Sequence, residues 1–388
     1  MKVRLGDICE ILNGYAFKSS DYTKDGIRII RISNVQKGFI EDSSPVFYPK
    51  DNKYAQNYAL IENDLLISLT GNVGRVALIS RDLLPAALNQ RVACIRIKDK
   101  HTILTKYLFH LLNSDIFEHD CIISAQGIAQ KNMSTSWLQQ YEISIDPLET
   151  QSKRINVLDT LDSLISRRKR QLLKLDQLVK SRFMEMFGDP VINKKNWLTS
   201  QLSNHIELIG GYAFESSKLN TSYGIPVVKI GNINSGTFKA TNLMYSEQLP
   251  HLAKYKLFPG DLVISLTGTI GKEDYANICV LGNDYSEYYL NQRNAKIQIK
   301  NSLDKYYLVS LLRFNQIKRQ ITNVSRGVRQ ANVSNKDILT LTIPLPPLPL
   351  QQQFAAFVEK VDKSKLAVKQ SLEKLETLKK SLMQQYFG

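Results

Sequence analysis

The sequence predicts an α+β molecule in which two loop-rich mixed α/β domains are joined by two long helices. The helices are expected to form an antiparallel coiled coil with pseudo-two-fold symmetry. Two observations carry this. The chain repeats itself about 200 residues on, and each half ends in a run of apolar residues at a spacing of seven. Gly14-Tyr15-Ala16-Phe17-Lys18-Ser19-Ser20 returns as Gly211-Tyr212-Ala213-Phe214-Glu215-Ser216-Ser217. Asp64-Leu65-Leu66-Ile67-Ser68-Leu69-Thr70-Gly71 returns as Asp261-Leu262-Val263-Ile264-Ser265-Leu266-Thr267-Gly268. Leu88-Asn89-Gln90-Arg91 returns as Leu290-Asn291-Gln292-Arg293, and Gly127, Gln130, Asn132 and Ser134 match Gly327, Gln330, Asn332 and Ser334. Met186-Phe187-Gly188 matches Tyr386-Phe387-Gly388. A chain duplicated in this order suits a partner that is itself two-fold.

In chain order the boundaries expected are a first domain at 1–147, a helical region at 148–188, a second domain at 189–349 and a second helical region at 350–388. The stretches 27–32 and 225–230 have the β-branched content of short strands. Leu65 to Leu69 reads as a buried strand running into the glycine turn Thr70-Gly71-Asn72-Val73-Gly74. Around 106–113 and 305–313 the apolar spacing suits a short helix. Long helices are expected at about 150–187 and 351–387. Leu158, Ile165, Leu172, Val179 and Met186 form one apolar row; Val361, Val368, Leu375 and Leu382 form the other, offset by three within the heptad. The companion rows are interrupted by Arg168 and Arg182, and by Lys365 and Lys379. Antiparallel coiled coils pair such complementary rows. Heptads this short leave an alternative open, two amphipathic helices each packed on its own domain core. Gly188 with Asp189-Pro190 terminates the first helix, and Pro344-Leu345-Pro346-Pro347-Leu348-Pro349 reads as a stiff connector into the second.

Composition narrows the function. A formal charge of +15 points to a polyanion or an acidic partner, and 43% hydrophobic residues suffice for two ordinary cores. Cys9, Cys94, Cys121 and Cys279 lack any CxxC spacing and read as reduced core residues. No signal-peptide pattern stands at the start, and no apolar run approaches the roughly 20 residues that span a bilayer. A soluble, cytoplasmic protein without membrane contact is expected.

Catalytic motifs are missing. The Asn/Asp/Ser-Pro-Pro-aromatic motif of amine methyltransferases is absent, and Gly268-Thr269-Ile270-Gly271-Lys272-Glu273 lacks Walker spacing. His101, His110, His119, His205 and His251 show no metal-ligand spacing. Asp64 and Asp261 stand before a buried strand, where a turn or capping role suffices. Binding is better supported. Arg31/Lys229, Arg75/Lys272 and Arg91/Arg293 keep positive charge beside glycine turns or amide side chains, which suits phosphate oxygens. Solvated surface charge is the alternative for each. Tyr15 and Tyr212 are candidates for stacking on nucleic acid, whereas Phe17 and Phe214 suit the core. Lys18, Ser20, Asn34, Thr70, Asn72, Gln90 and Asn132 complete the first set of candidates, and Ser217, Asn232, Thr267, Thr269, Gln292 and Asn332 the second. Specific reading belongs where the halves differ: 36–60 against 234–257, Lys18 against Glu215, and Gln126, Ala129 and Lys131 against Arg326, Arg329 and Ala331. Arginine suits guanine and glutamine suits adenine in the major groove, so the halves would read unlike short sequences.

With these blocks in view the whole chain resembles the specificity (S) subunits of Type I restriction–modification systems. The resemblance rests on the Gly-Tyr-Ala-Phe-x-Ser-Ser blocks, the Ile-Ser-Leu-Thr-Gly turns, the Leu-Asn-Gln-Arg segments, Pro-Leu-x-x-Gln at 147–151 and 347–351, and the Phe-Gly helix ends. It implies two target recognition domains and a subunit without catalysis or cofactor of its own. It implies double-stranded DNA and two modification subunits as partners, the latter binding S-adenosylmethionine, with two restriction subunits using ATP and Mg as an optional addition. The long helices would dock the modification subunits and, at about 55 Å, hold two half-sites apart across an unread spacer. A stand-alone modification enzyme and a structural coiled-coil tether are the rival readings.

Overall fold

The computed structural model describes residues 1–99, 101–125, 132–269, 272, 274–322 and 331–388. The chain divides into two compact units, Met1–Arg170 with Lys369–Gly388, and Gln171–Val368. Both heptad regions are helices, Leu148–Phe187 and Leu348–Phe387. Each unit therefore owns the start of one long helix and the end of the other.

In the first unit, Leu65–Ser68 is buried at every position and lies inside a four-stranded antiparallel sheet. The order is Cys9–Asn13, Val92–Ile97, Leu65–Ser68, Val76–Leu78. A second sheet joins Phe47–Tyr48, Ile27–Ile30 and Ala86–Leu88, the last two parallel. Leu65 and Ile67 pack toward the helices Thr105–Leu112 and Asp115–Ser124 through Leu108, Phe117 and Cys121. Leu66, of opposite parity, packs with Ile30 and Leu88. The strand thus serves two cores, which is why it reads as a continuous apolar run.

The second unit repeats this order with Ile206–Gly210, Asn294–Ile299, Leu262–Ser265 and Ile278–Val280. Its parallel pair is Ile225–Val228 with Tyr288–Leu290, extended by Met244–Ser246 and Lys256–Leu257. Asp64 and Asp261 do hold turns, accepting from the N–H of Ile61 (2.9 Å) and Phe258 (2.8 Å). Each also pairs with a strand cation, Arg96 at 2.6 Å and Lys296 at 2.7 Å. All four cysteines are buried and unbridged.

The proline connector departs from expectation. Thr342–Leu345 is a strand paired with Leu198–Gln201, and Pro344 sits opposite Thr199. Proline is tolerated there because a two-stranded ladder is all edge. The helix then starts at Leu348, with Pro349 in its first turn where no N–H partner is needed.

Within each unit the helical segments are tied to the domain and to one another. Gln151 is fully buried; its Oε1 accepts from Leu104 N–H (2.9 Å) and its Nε2 donates to the carbonyls of Asp146 (2.8 Å) and Thr102 (3.1 Å). Gln351 does the same with Asp304 N–H (2.9 Å) and the Pro346 carbonyl (2.8 Å). Phe387 meets Tyr107 edge-on at 5.4 Å, and Phe187 meets Tyr307 edge-on at 4.9 Å. In the first unit Arg154 donates to the Tyr386 carbonyl, Asp162 pairs with Lys379, and Lys169 with Glu376 at 2.9 Å. In the second, Asp176 pairs with Lys365 at 2.7 Å and Phe183 packs on Phe354 at 5.7 Å. In both, rising numbers on one helix meet falling numbers on the other, so the segments run antiparallel. Leu158, Ile165, Met186, Val361 and Val368 are buried, while Leu172, Val179, Leu375 and Leu382 are half-buried. The cations interrupting the companion rows find partners too: Lys365 and Lys379 as above, and Arg182 over the Phe357 ring at 5.8 Å. Exposed pairs of this kind are worth only about 0–1 kcal/mol each; the buried aromatic and amide contacts dominate.

Among the described residues no group of three His, Cys, Asp or Glu side chains is placed to hold a metal, and no helix is long and apolar enough to cross a membrane. Gln351→Leu leaves the Asp304 N–H and the Pro346 carbonyl without their partner. It should lower the unfolding free energy by about 2–4 kcal/mol, read from urea denaturation of the full chain. A loss below about 0.5 kcal/mol would contradict the docking role.

Candidate nucleic-acid interface

The matched sequence blocks meet along one backbone rail. In the first unit Tyr15 N–H donates to the Leu88 carbonyl (3.0 Å) and Gln90 N–H to the Tyr15 carbonyl (2.8 Å). Leu69 N–H donates to the Arg91 carbonyl (2.9 Å), and Met133 N–H to the Leu69 carbonyl (2.8 Å). The second unit repeats these bonds between Tyr212 and Leu290 (2.9 Å), Gln292 and Tyr212 (2.7 Å), Leu266 and Arg293 (2.8 Å), and Val333 and Leu266 (2.8 Å). Thr70 bridges Asn132, and Thr267 pairs with Asn332. Four separate motifs are thus brought side by side: Tyr15, Gln90, Arg91, Thr70 and Asn132 in one unit, and Tyr212, Gln292, Arg293, Thr267 and Asn332 in the other.

Arg91 and Arg293 are exposed at the turn and adopt φ of +68° and +72°. That left-handed backbone costs a non-glycine residue roughly 1–2 kcal/mol. The same left-handed turn, carrying a cation, thus recurs at the same place in both units.

The glycine turn beside the rail is held from below. Buried Ser68 donates from Oγ to the Asn72 carbonyl (2.5 Å) and accepts from Arg75 N–H (3.0 Å). Gly71 and Gly74 have φ of +68° and +83°, and a Cβ on Gly74 would lie 2.8 Å from that of Cys121. Thr70, Asn72, Arg75 and Arg91 share a cleft of about 580 Å³ with Ser33 and Gln36. In the second unit the turn is longer, so Asn277 and not Lys272 takes the place of Arg75: buried Ser265 accepts from Asn277 N–H (3.1 Å), and Asp274 braces the added residues by accepting from Thr269 N–H (2.8 Å) and Oγ1 (2.9 Å). Burial raises its carboxyl pKa, but the Thr269 hydrogen bonds and the Lys272 charge outweigh this and hold it below the ordinary value. Thr269 and Lys272 are exposed.

Other expected residues lie elsewhere. Asn34 and Asn232 are buried, and their carboxamides shape the loop. Asn34 accepts from Arg31 N–H (2.9 Å) and donates to the Glu41 carbonyl (2.7 Å). Asn232 accepts from Lys229 N–H (2.9 Å) and donates to the Lys239 and Thr241 carbonyls (both 3.0 Å). The Arg31 guanidinium donates to the Ser44 carbonyl at 2.8 Å. Ser20 lies in the turn Ser19–Asp21 and Lys18 just before it, its carbonyl accepting from the Tyr48 hydroxyl (2.8 Å), and Ser217 lies in the turn Ser216–Lys218. Gln126, Lys131, Arg326 and Arg329 lie outside the described residues, as do Ala129, Gly127, Gln130, Gly327 and Gln330.

Sequence matching missed an aromatic cluster. Tyr15 stacks on exposed Tyr54 at 4.7 Å and approaches Tyr58 at 5.4 Å. Tyr212 meets exposed His251 at 5.8 Å and Tyr255 at 5.3 Å. The stretches 36–60 and 234–257 therefore share a design that identity alone does not reveal, with Tyr54 exchanged for His251.

Residues 1–175 and 194–378 match the family model described as Type I restriction modification DNA specificity domain. The chain is 22% identical to the Type I restriction enzyme MjaVIII specificity subunit of Methanocaldococcus jannaschii, covering 98% of this chain and 90% of that protein. It is also 22% identical to the EcoBI specificity subunit of Escherichia coli, over 100% of this chain and 85% of that protein. The Type-I restriction-modification system S subunit from M. genitalium shares the fold, with a TM-score of 0.59 at 14% identity over 99% of this chain and 94% of that one.

Arg91→Gly and Arg293→Gly separate strain from binding. Each should leave stability unchanged or raise it by up to about 1 kcal/mol. Each should weaken duplex DNA binding and flatten the slope of log affinity against log salt by about 0.9. An unchanged slope would place these arginines off the phosphates.

Proposed function

The chain belongs to the Type I restriction modification DNA specificity domain family, and from that premise we propose that it carries two unlike readers, at 1–147 and 189–349. It is the DNA sequence-specificity subunit of a Type I restriction–modification complex, and its partners are DNA and the methyltransferase and restriction subunits. Each reader contacts one half of an asymmetric, bipartite target. The duplicated rail carries this reading: the same exposed edge is built twice in one chain, with unlike neighbours such as Arg75 against Asn277 and Tyr54 against His251. Matched groups, Arg91 and Arg293 foremost, grip phosphates; unmatched ones discriminate bases.

The chain itself performs no chemistry on this reading. Methyl transfer from S-adenosylmethionine belongs to two modification subunits, and ATP-driven cleavage to restriction subunits where these are present. The complex works in the cytoplasm. A stand-alone modification enzyme or a protein-binding tether would leave the paired basic edges without a task.

The helices at 148–188 and 350–388 act as an antiparallel coiled coil on a pseudo-two-fold axis, spacing the readers and receiving the modification subunits. The opposed ion pairs Lys169–Glu376 and Lys365–Asp176 support this, as do the complementary apolar rows. At 40 residues each, the helices reach about 60 Å.

Deleting one heptad from both long helices in concert tests function and spacing together. Methylated adenines mapped in the host should keep both half-sites, while the spacer shortens by about three base pairs. An unaltered spacer would contradict the spacing role. A wild-type complex giving no two-part motif would contradict the function.

A further inference from the structure

The loop after the first strand of the parallel pair keeps its asparagine brace in both units, Asn34 and Asn232, but its tip is fastened by different side chains. In the first unit Val35–Gln36 and Phe39–Ile40 form a small hairpin around Gly38, whose φ is +89°. It is clamped from three sides. Lys37 bonds Asp115 (3.1 Å) and Glu118 (2.6 Å), and Gly38 N–H donates to the Val76 carbonyl (2.8 Å). Asn34 ties the base of the hairpin to Arg31 and Glu41. Gln36 is thereby held in the cleft that contains Thr70, Arg75 and Arg91.

Arg75 Nη1 donates to Gln36 Oε1 at 2.5 Å, and Gln36 Nε2 donates to the Ser33 carbonyl at 2.8 Å. These bonds fix the carboxamide yet leave it one N–H and one lone pair. A fixed carboxamide with one donor and one acceptor remaining is the complement of adenine N7 and N6–H in the major groove. In the second unit the strand register puts Asn277 where Arg75 stands, and its Nδ2 donates to the carbonyl of Asn234, the residue that follows the short helix Ile230–Ile233. Its loop is fastened differently, by Arg313 donating to the Gly236 carbonyl at 2.7 Å.

We infer that Gln36 reads an adenine in the half-site contacted by the first unit, and that Arg75 is its positioning residue. The inference rests on the specificity-subunit reading above.

The test places Gln36→Ala, and separately Gln36→Met, in the full-length subunit within its modification complex and maps N6-methyladenine across the host genome. Methionine keeps the volume but lacks both hydrogen-bonding groups, so it guards against a folding artefact in the alanine variant. Both variants should accept other bases at one position of one half-site, with discrimination falling on the order of 10-fold to 100-fold. The other half-site and the spacer should be unchanged. Arg75→Lys should relax the same position and no other, an outcome that a merely structural arginine would not produce. A wild-type motif in both Gln36 variants overturns the inference, as does degradation of both half-sites. A wild-type subunit that directs no two-part motif removes the specificity-subunit reading and this inference with it; a normal wild-type motif with unaltered variants removes this inference alone.

Discussion

Gly14 has no room for a side chain: a Cβ there would lie 2.1 Å from the carbonyl oxygen of Asn89, and one on Gly211 would lie 2.0 Å from that of Asn291. This close backbone approach seats the Gly-Tyr-Ala-Phe block on the Leu-Asn-Gln-Arg block. Once they are seated, Tyr15 bonds across to Leu88 and Gln90, and the turn that follows lifts Arg91 into solvent. The same turn aligns Leu69, and Leu69 in turn aligns Met133. A residue larger than glycine at position 14 or 211 would part the motifs and scatter the exposed groups. The strain at Arg91 and Arg293 is tolerable only where the neighbouring ladder holds it.

The sequence made much of this legible. Glycine-bounded apolar runs named the buried strands, and heptads named the long helices, because periodic burial leaves a periodic trace. The repeat named the blocks that meet at the rail, though not that they meet. What stayed hidden acts at a distance or without identity. Gln151 and Gln351 look like ordinary helix residues, yet each bonds a backbone N–H 47 positions earlier in the chain. Tyr58 and Tyr255 sit in stretches with little common sequence, and only their shared contact with Tyr15 or Tyr212 relates them. Asn34 and Asn232 carried the right chemistry for DNA but are buried as loop struts, which residue type alone does not distinguish. The proline run concealed an edge strand because proline usually argues against one.

The division of labour between matched and unmatched residues follows from these placements. Matched positions build the rail, cap the buried strand and dock the helix through its glutamine. Unmatched positions cluster around the cleft and the aromatic stack, where substitution leaves the rail intact. Each reader is also closed by the end of the other half's helix: Phe387 on Tyr107, Phe187 on Tyr307. Neither half is complete from its own contiguous residues, and on the proposed reading this lets the two domains diverge in specificity while sharing the helices that finish them.

The most direct measurement exchanges residues 1–147 for the corresponding domain of a relative with a different target and maps the methylated motif. The account predicts a new sequence in one half-site, with the other half-site and the spacer as before. Change in both half-sites, or in neither, would contradict it.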